Sequence, residues 1–273
     1  ESLMPTFTSF ANDLPDPNFK IGYYGATDTQ TEAKPGPGFA SVKLINDQKM
    51  LVNRTNSQRL LARSVAAQKW NVDINYHPMT REEFEPVYSF LLRQKGPITP
   101  FFVALPQYRV PQNASWNTVV TQTFDATSFG GSSTESAYAP YIKTTASANA
   151  GTTSVMFVVG KHGNYGTAYS FNGDALNPNV PRPGDMVTFA THTKAYLITS
   201  VETNHDYQAG TTQPLATQFR INVSPDFTET IAADTVGTFS VPKIKVVMPQ
   251  PLREYSLNTD NLYSFNLKLE EYL

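Results

Sequence analysis

Strict alternation of apolar and polar side chains near the end of the chain constrains the fold more than any other feature of the sequence. From Tyr263 to Glu270 every second residue is apolar, and the residues between them are polar. A period of two is typical of a strand with one buried face and one solvated face. Because chain ends fray unless they are held, we expect this strand to pair within a sheet.

A second segment with the same period lies far upstream, within a long strand predicted over 64–76. Its apolar face consists of Trp70, Val72, Ile74 and Tyr76. The two ends of the chain are therefore expected to share one sheet around a middle insertion. The predicted core of this region comprises Trp70, Phe84, Leu91, Phe101, Phe265 and Leu267.

One helix is predicted, and it begins at Thr80, because Thr80 and Glu83 form a capping box. Apolar residues then repeat at helical spacing as far as Leu92, and Gly96 follows as a stop signal. Pro86 forfeits a backbone hydrogen bond, which predicts either a kink there or a later start of the helix.

Several further strands are indicated by apolar runs between turn residues. Segments 40–45 and 49–53 flank Asn46-Asp47-Gln48 and predict a hairpin. Residues 107–150 are rich in small polar residues and predict loops and poorly patterned strands. The β pattern returns from 151 to 236 and predicts a small barrel or sandwich, after which 237–249 should rejoin the first sheet.

Composition excludes several classes of protein. The 273 residues contain no cysteine, so disulfides, thiolate catalysis and cysteine-based zinc sites are ruled out. Only 16 % of the residues are charged, and the formal net charge is −2, which argues against a nucleic-acid binder with clustered Lys and Arg. Sparse charge is typical of surfaces buried between subunits. No apolar run approaches the ~20 residues of a membrane helix, so no membrane insertion is predicted.

The polar residues do not form a catalytic or metal-binding motif. The best local cluster, Glu202, His205 and Asp206, is interpreted as a solvated loop. Two pairs of carboxylates are explained without catalysis, by the helix dipole at the start of a helix and by solubility at the end of the chain. The pairs are Glu82 with Glu83, and Glu270 with Glu271. We therefore predict no catalytic, cofactor-binding or metal-binding residue, and no enzymatic activity.

Fourteen tyrosines are present, and those in loop-like stretches are the expected surface aromatics. Such rings serve subunit contacts or anchor loops, and alternatively they form platforms for sugars. They are Tyr23, Tyr24, Tyr138, Tyr141, Tyr165 and Tyr169.

The order of several segments resembles the minor or distal tail proteins of tailed bacteriophages. A strand that begins with a tryptophan is followed by Pro-Met-Thr and a helix, and then by a short apolar strand. Further along come a Pro-Gly-Asp turn, two strands, and finally the closing strand. The segments lie at 70–76, 78–96, 101–108, 183–189, 194–199 and 263–271. The resemblance covers about 65–110 and 180–273.

This resemblance implies a mainly β fold. It consists of a tail-tube-like β-sandwich domain with one flanking helix, plus an inserted small β-barrel or galectin-like domain. Residues 1–38 are expected to form an N-terminal arm or loop. Residues 39–110 and 237–273 are expected to form the ring-forming domain, and 111–236 the inserted peripheral domain.

The resemblance also implies a structural virion protein: a distal tail or baseplate hub subunit in a ring, usually a hexamer, that joins the tail tube to the tail tip. Its expected partners are further copies of itself, the tail tube protein, and tail-tip or receptor-binding proteins. DNA would pass through the lumen only as cargo. The expected location is the phage tail, after assembly in the host cytoplasm. The alternatives are a carbohydrate-binding β module for host adhesion, a capsid or neck protein, and a hydrolase.

Overall fold

The computed structural model describes residues 13–18, 36–64, 68–121, 141–160, 179–250, 255–258 and 260–273. Within these ranges the chain is mainly β, which confirms the predicted fold class. Contacts within the chain divide it into two compact units, Glu1–Val103 with Ile244–Leu273, and Ala104–Lys243.

The strands are numbered in chain order: β1 (Phe39–Asp47), β2 (Met50–Arg54), β3 (Leu60–Ser64), β4 (Lys69–Tyr76), β5 (Phe101–Ala104), β6 (Tyr141–Thr144), β7 (Ser154–Gly160), β8 (Met186–Phe189), β9 (Ala195–Glu202), β10 (Gln218–Ser224), β11 (Gly237–Thr238), β12 (Lys243–Val247), β13 (Ser256–Leu257), β14 (Tyr263–Ser264) and β15 (Asn266–Glu271). The helices of the described residues are α1 (Arg81–Gln94), α2 (Ala114–Thr121) and a short 3-10 helix (Pro106–Tyr108).

The first unit is built on a five-stranded sheet in the order β1-β4-β15-β12-β5. The closing strand β15 pairs antiparallel with β4, and Leu267 lies opposite Ile74. The two ends of the chain therefore share one sheet, as the alternation predicted. All six residues of the predicted core are buried. Trp70 and Leu267 are buried on one face because the apolar faces of β4 and β15 lie on the same side of the sheet.

Helix α1 begins at Arg81, directly after the predicted capping residue. The Glu83 carboxylate accepts a hydrogen bond of 3.0 Å from the Thr80 backbone N–H, and the capping box is complete. The helix runs through Pro86 and ends where Lys95 adopts a left-handed conformation with φ 54°. The predicted later start is therefore wrong. The capping box and the buried apolar stripe hold the first turns although Pro86 removes one backbone hydrogen bond.

The apolar face of α1 packs against the sheet through aromatic pairs. The ring centroid of Phe84 lies 5.6 Å from that of Phe265, and the centroid of Phe90 lies 5.4 Å from that of Phe101. Both pairs are edge-to-face, an arrangement that contributes about 0.5–1.5 kcal/mol beyond burial alone. The helix is thereby fixed on β5 and on Phe265, the residue before β15.

The second unit is a nearly closed barrel of six strands in the order β11-β8-β9-β10-β7-β6. The two end strands approach each other, because Lys143 on β6 forms a bridge with Val236, the residue before β11. Next to this bridge the Thr144 N–H donates to the Thr235 carbonyl at 3.0 Å. The sequence predicted a barrel or a sandwich in this region, and the structure is a barrel.

Helix α2 supplies an aromatic ring to the barrel core. The centroid of Trp116 lies 5.3 Å from those of both Phe219 and Phe239. The sequence predicted loops and strands in 107–150 and a single helix for the whole chain, so α2 is a correction. Its Ser, Thr, Asn and Val residues are modest helix formers. Burial of Trp116 and Val119 stabilises a helix that propensity does not favour.

Strand β11 is a second correction. The segment 237–249 was predicted to rejoin the first sheet, and β12 does so. In contrast, Gly237 on β11 lies opposite Phe189 on β8, within the barrel. A strand of two residues carries no readable alternation, so only the spatial position of β8 decides its partner.

Candidate assembly interface

A long β-hairpin leaves the five-stranded sheet of the first unit. Strands β1 and β4 pair antiparallel as far as Asp47, which lies opposite Lys69. Strands β2 and β3 then pair with each other as a separate two-stranded ribbon, starting from Met50 opposite Ser64. We call this ribbon with its turn, residues 50–64, the hairpin arm.

The chain reverses at the tip of the hairpin arm and not at Asn46-Asp47-Gln48. The Thr55 N–H donates to the Arg59 carbonyl at 3.0 Å, and Gln58 has a positive φ of 66°. The predicted hairpin between 40–45 and 49–53 is therefore wrong. Strand β1 pairs with β4 because its apolar residues match those of β4, with Leu44 opposite the buried Val72.

The hairpin arm exposes large apolar side chains on both of its faces. Residues that lie opposite each other share a face, so Val52 and Ala62 point one way and Leu51 and Arg63 point the other. Five large apolar side chains are between 49 % and 64 % exposed: Met50, Leu51, Val52, Leu60 and Leu61. A two-stranded ribbon is marginally stable alone in water, and a contiguous exposed apolar patch marks an interaction site.

The charged residues in and around the hairpin arm are all basic. Residues 48–68 contain Lys49, Arg54, Arg59 and Arg63 but no acidic residue. All four cations are exposed, and in the described part of the chain none of them has a carboxylate partner within 4.0 Å. Sequence reasoning missed this feature, although a run of cations without an acidic residue was a signal that could have revealed it.

The two edges of the five-stranded sheet differ. At β5 the edge is covered, because the Leu14 N–H donates to the Phe102 carbonyl at 2.8 Å and Asp13 forms a parallel bridge to the same residue. At the other edge, the outer side of β1 faces no strand among the described residues. Its apolar residues Val42 and Leu44 are only half-buried. An unpaired edge of this kind is a template for pairing with another chain.

The cluster predicted as a solvated loop, Glu202 with His205 and Asp206, is held by local contacts. Glu202 is buried and accepts a hydrogen bond of 2.7 Å from the Arg220 guanidinium. The backbone N–H groups of His205 and Asp206 donate to the Thr203 hydroxyl, both at 3.3 Å. Within the described ranges no three His, Asp or Glu residues lie where they could hold a metal ion together.

The two carboxylate pairs also have structural partners. Glu83 caps α1, as described above. Glu270 forms an ion pair with Lys69 at 2.6 Å, and the buried Glu271 accepts a hydrogen bond of 3.1 Å from the Trp70 backbone N–H. Both contacts join β15 to β4, so these carboxylates stabilise the sheet.

Most of the tyrosines considered for a sugar platform lie outside the described residues: Tyr23, Tyr24, Tyr138, Tyr165 and Tyr169. Tyr141 begins β6, and its side chain also lies outside the description. Of the predicted N-terminal arm, residues 1–38, the structure describes only 13–18 and 36–38.

No described helix combines the length and the apolar character needed to cross a membrane. The candidate site is a surface formed by the hairpin arm and by the edge of β1 that no described strand covers. The arrangement can pair backbone groups and bury apolar side chains against another chain.

A comparison with protein-family models found that the same region is similar to a family of structural proteins of bacteriophage tails. The matching family is the N-terminal part of the A domain of distal tail protein pb9, and the match covers residues 26–108. These residues include β1 to β5, α1 and the hairpin arm. The resemblance to tailed-phage distal tail proteins drawn from the sequence is thereby confirmed. A search of curated proteins found no match.

Proposed function

We propose that this chain is a distal tail subunit that forms a closed ring and joins the tail tube to the tail tip. The observation that carries the proposal is the long hairpin of β1 to β4. It combines a sheet edge that no described strand covers, half-buried apolar residues on that edge, and a projecting arm with apolar side chains on both faces. These features are costly in a solitary protein and are satisfied when another subunit covers them.

The asymmetry of the sheet favours a head-to-tail contact. The edge at β5 is covered by residues 13–16, whereas the edge at β1 is open among the described residues. A subunit that offers one edge meets a different surface on its neighbour, and repetition of such a contact closes a ring. We propose six copies, the usual number in the family that this chain resembles.

The two units would then have different roles in the assembled tail. The first unit would form the ring and contact the tail tube protein, and the barrel unit would be the inserted, peripheral domain that contacts tail-tip or receptor-binding proteins. DNA would pass through the lumen as cargo. The protein would act by its shape, without catalysis, after assembly in the host cytoplasm.

The oligomeric state tests this proposal. We expect native mass spectrometry of the purified full chain to show one closed oligomer of six copies. Cryo-electron microscopy of the intact particle should place that ring at the distal end of the tail tube. A chain that stays monomeric in solution and in the particle, or one located in the capsid or neck, would contradict the proposal.

A further inference from the structure

We infer that the hairpin arm binds an acidic surface on a second copy of this chain, through its arginines and its exposed apolar residues together. The inference rests on the proposed function and names the recognition chemistry of that contact. The arm projects from a sheet with its own hydrophobic core, so its side chains are free to contact a neighbour.

Charge complementarity supports a second copy as the partner. The whole chain has 21 basic and 23 acidic residues. Without the four cations of 48–68 the remainder has 17 basic against 23 acidic residues, a net charge of −6. The segment 48–68, which contains the hairpin arm, and the rest of the molecule therefore have net charges of opposite sign. In a head-to-tail contact each copy would offer one basic arm and receive one, and the attraction would set the register of the contact.

The apolar residues favour a protein partner over nucleic acid. Leu51 and Leu61 lie on one face of the arm, and Met50, Val52 and Leu60 lie on the other. Contacts to phosphates need the cations alone and leave such side chains in water. A protein groove covers both, since apolar side chains fill the centre of an interface and charges lie at its rim.

Strand geometry supports the same conclusion. Both edges of the ribbon lack a strand partner among the described residues. Hydrogen bonds of the turn around Thr55 hold its tip. A ribbon of this kind gains stability when a neighbour covers it.

The decisive variant reverses the charge of two arginines of the arm, Arg59 and Arg63. We expect Arg59→Glu combined with Arg63→Glu to raise the dissociation constant of the oligomer by at least about tenfold, measured by sedimentation velocity on the full chain. Arg59→Lys with Arg63→Lys keeps the charge and should assemble nearly as the natural chain does. Raising NaCl from about 0.05 M to about 0.5 M should weaken the natural oligomer more than the charge-reversed one, because salt screens exposed charges.

A second variant tests the contribution of the exposed apolar side chains of the arm. Leu51→Ser with Leu61→Ser should weaken assembly to a similar degree. Leu215→Ser, on an equally exposed leucine of the barrel unit, is the matched control and should assemble normally. Circular dichroism of every variant establishes that its fold is intact.

The outcomes separate the two proposals. An oligomer that forms equally well with all arm variants would overturn this inference and leave the proposed ring intact. A natural chain that stays monomeric would overturn both. Tight binding of duplex DNA by the natural chain, lost in the charge-reversed variant while the oligomer persists, would show that the arm recognises phosphates and would also overturn the inference.

Discussion

At the scale of single residues, His192 is a side chain whose environment makes the stability of the fold sensitive to pH. It lies in the turn between β8 and β9, and its ring centroid is 5.4 Å from those of both Phe189 and Tyr196. Neither ring nitrogen has a hydrogen-bond partner among the described residues. Desolvation lowers the pKa of His192 below its ordinary value of 6.5; the charge of Lys194 adds to this and that of Glu229 opposes it.

The pKa of His192 predicts that the barrel unit loses stability in mild acid. A histidine with a lowered pKa stays neutral in the folded chain at a pH at which it is protonated in the unfolded chain. Below pH 6.5 the unfolded chain therefore binds more protons, and the free energy of unfolding decreases as the pH is lowered. Denaturant unfolding of the full chain at about pH 7.5 and about pH 5.5 measures this loss. His192→Phe should reduce the loss, because its ring cannot take up a proton. Equal pH dependence in His192→Phe and the natural chain would contradict the assignment.

Trp70 carries a second prediction at this scale. Its side chain is buried on β4, the strand between β1 and β15. Trp70→Ala should lower the free energy of unfolding by about 3–5 kcal/mol through lost burial and the cavity left behind. The fold would then be too weak to assemble. Trp70→Phe keeps an aromatic ring and should cost less. A Trp70→Ala chain that folds and assembles as the natural one does would contradict the sheet assignment.

At the scale of elements, the closure of the barrel depends on one small residue. Strand β11 has only two residues, and the first of them is Gly237. A Cβ atom at this position would lie 2.7 Å from the ring of Phe157 and 3.1 Å from that of Phe239. Both rings are buried, so neither can move aside without disturbing the core.

Gly237→Ala is therefore expected to destabilise the barrel by about 1–3 kcal/mol, the usual cost of overpacking a core. Gly38→Ala is the matched control, because a Cβ atom there meets nothing within 4 Å. Thermal unfolding followed by circular dichroism compares the two variants. A Gly237→Ala chain as stable as the Gly38→Ala chain would show that β11 is free to shift.

At the scale of the whole molecule, the two units differ in how the chain builds them. The barrel unit, Ala104–Lys243, is one continuous stretch, whereas the first unit needs both ends of the chain. In the sheet of the first unit, β15 lies between β4 and β12. The two tryptophans report on the units separately, since Trp70 is buried in the first and Trp116 in the second.

A fragment of residues 104–243 should therefore fold by itself and unfold cooperatively, with the emission of Trp116 shifted to the blue as for a buried ring. A fragment of residues 1–103 lacks β12 and β15 and should not bury Trp70. Fluorescence of both fragments during denaturant titration tests this. A disordered 104–243 fragment would contradict the proposal that the barrel is an inserted domain.

Local patterns made parts of this structure predictable. Alternation over 70–76 and 263–270 identified the two central strands, and the pair Thr80 and Glu83 identified the start of α1. The hairpin arm was only partly predictable, because the turn residues at 46–48 suggested a reversal that the pairing of β1 with β4 overrides. Helix α2 was missed since its propensity is modest, although Asn113 accepts from the Ser115 N–H at 3.1 Å and so caps its first turn.

By itself, the sequence determined which segments are extended, which faces of them are apolar and where α1 begins. Those properties depend on neighbouring residues, whose side chains repeat with the period of the backbone. Only the tertiary structure decided that β1 joins β4, that β11 closes the barrel and that a basic, apolar arm is left uncovered. Strand partners are selected by residues far apart in the chain, and the exposure of the arm depends on what the rest of the fold leaves beside it.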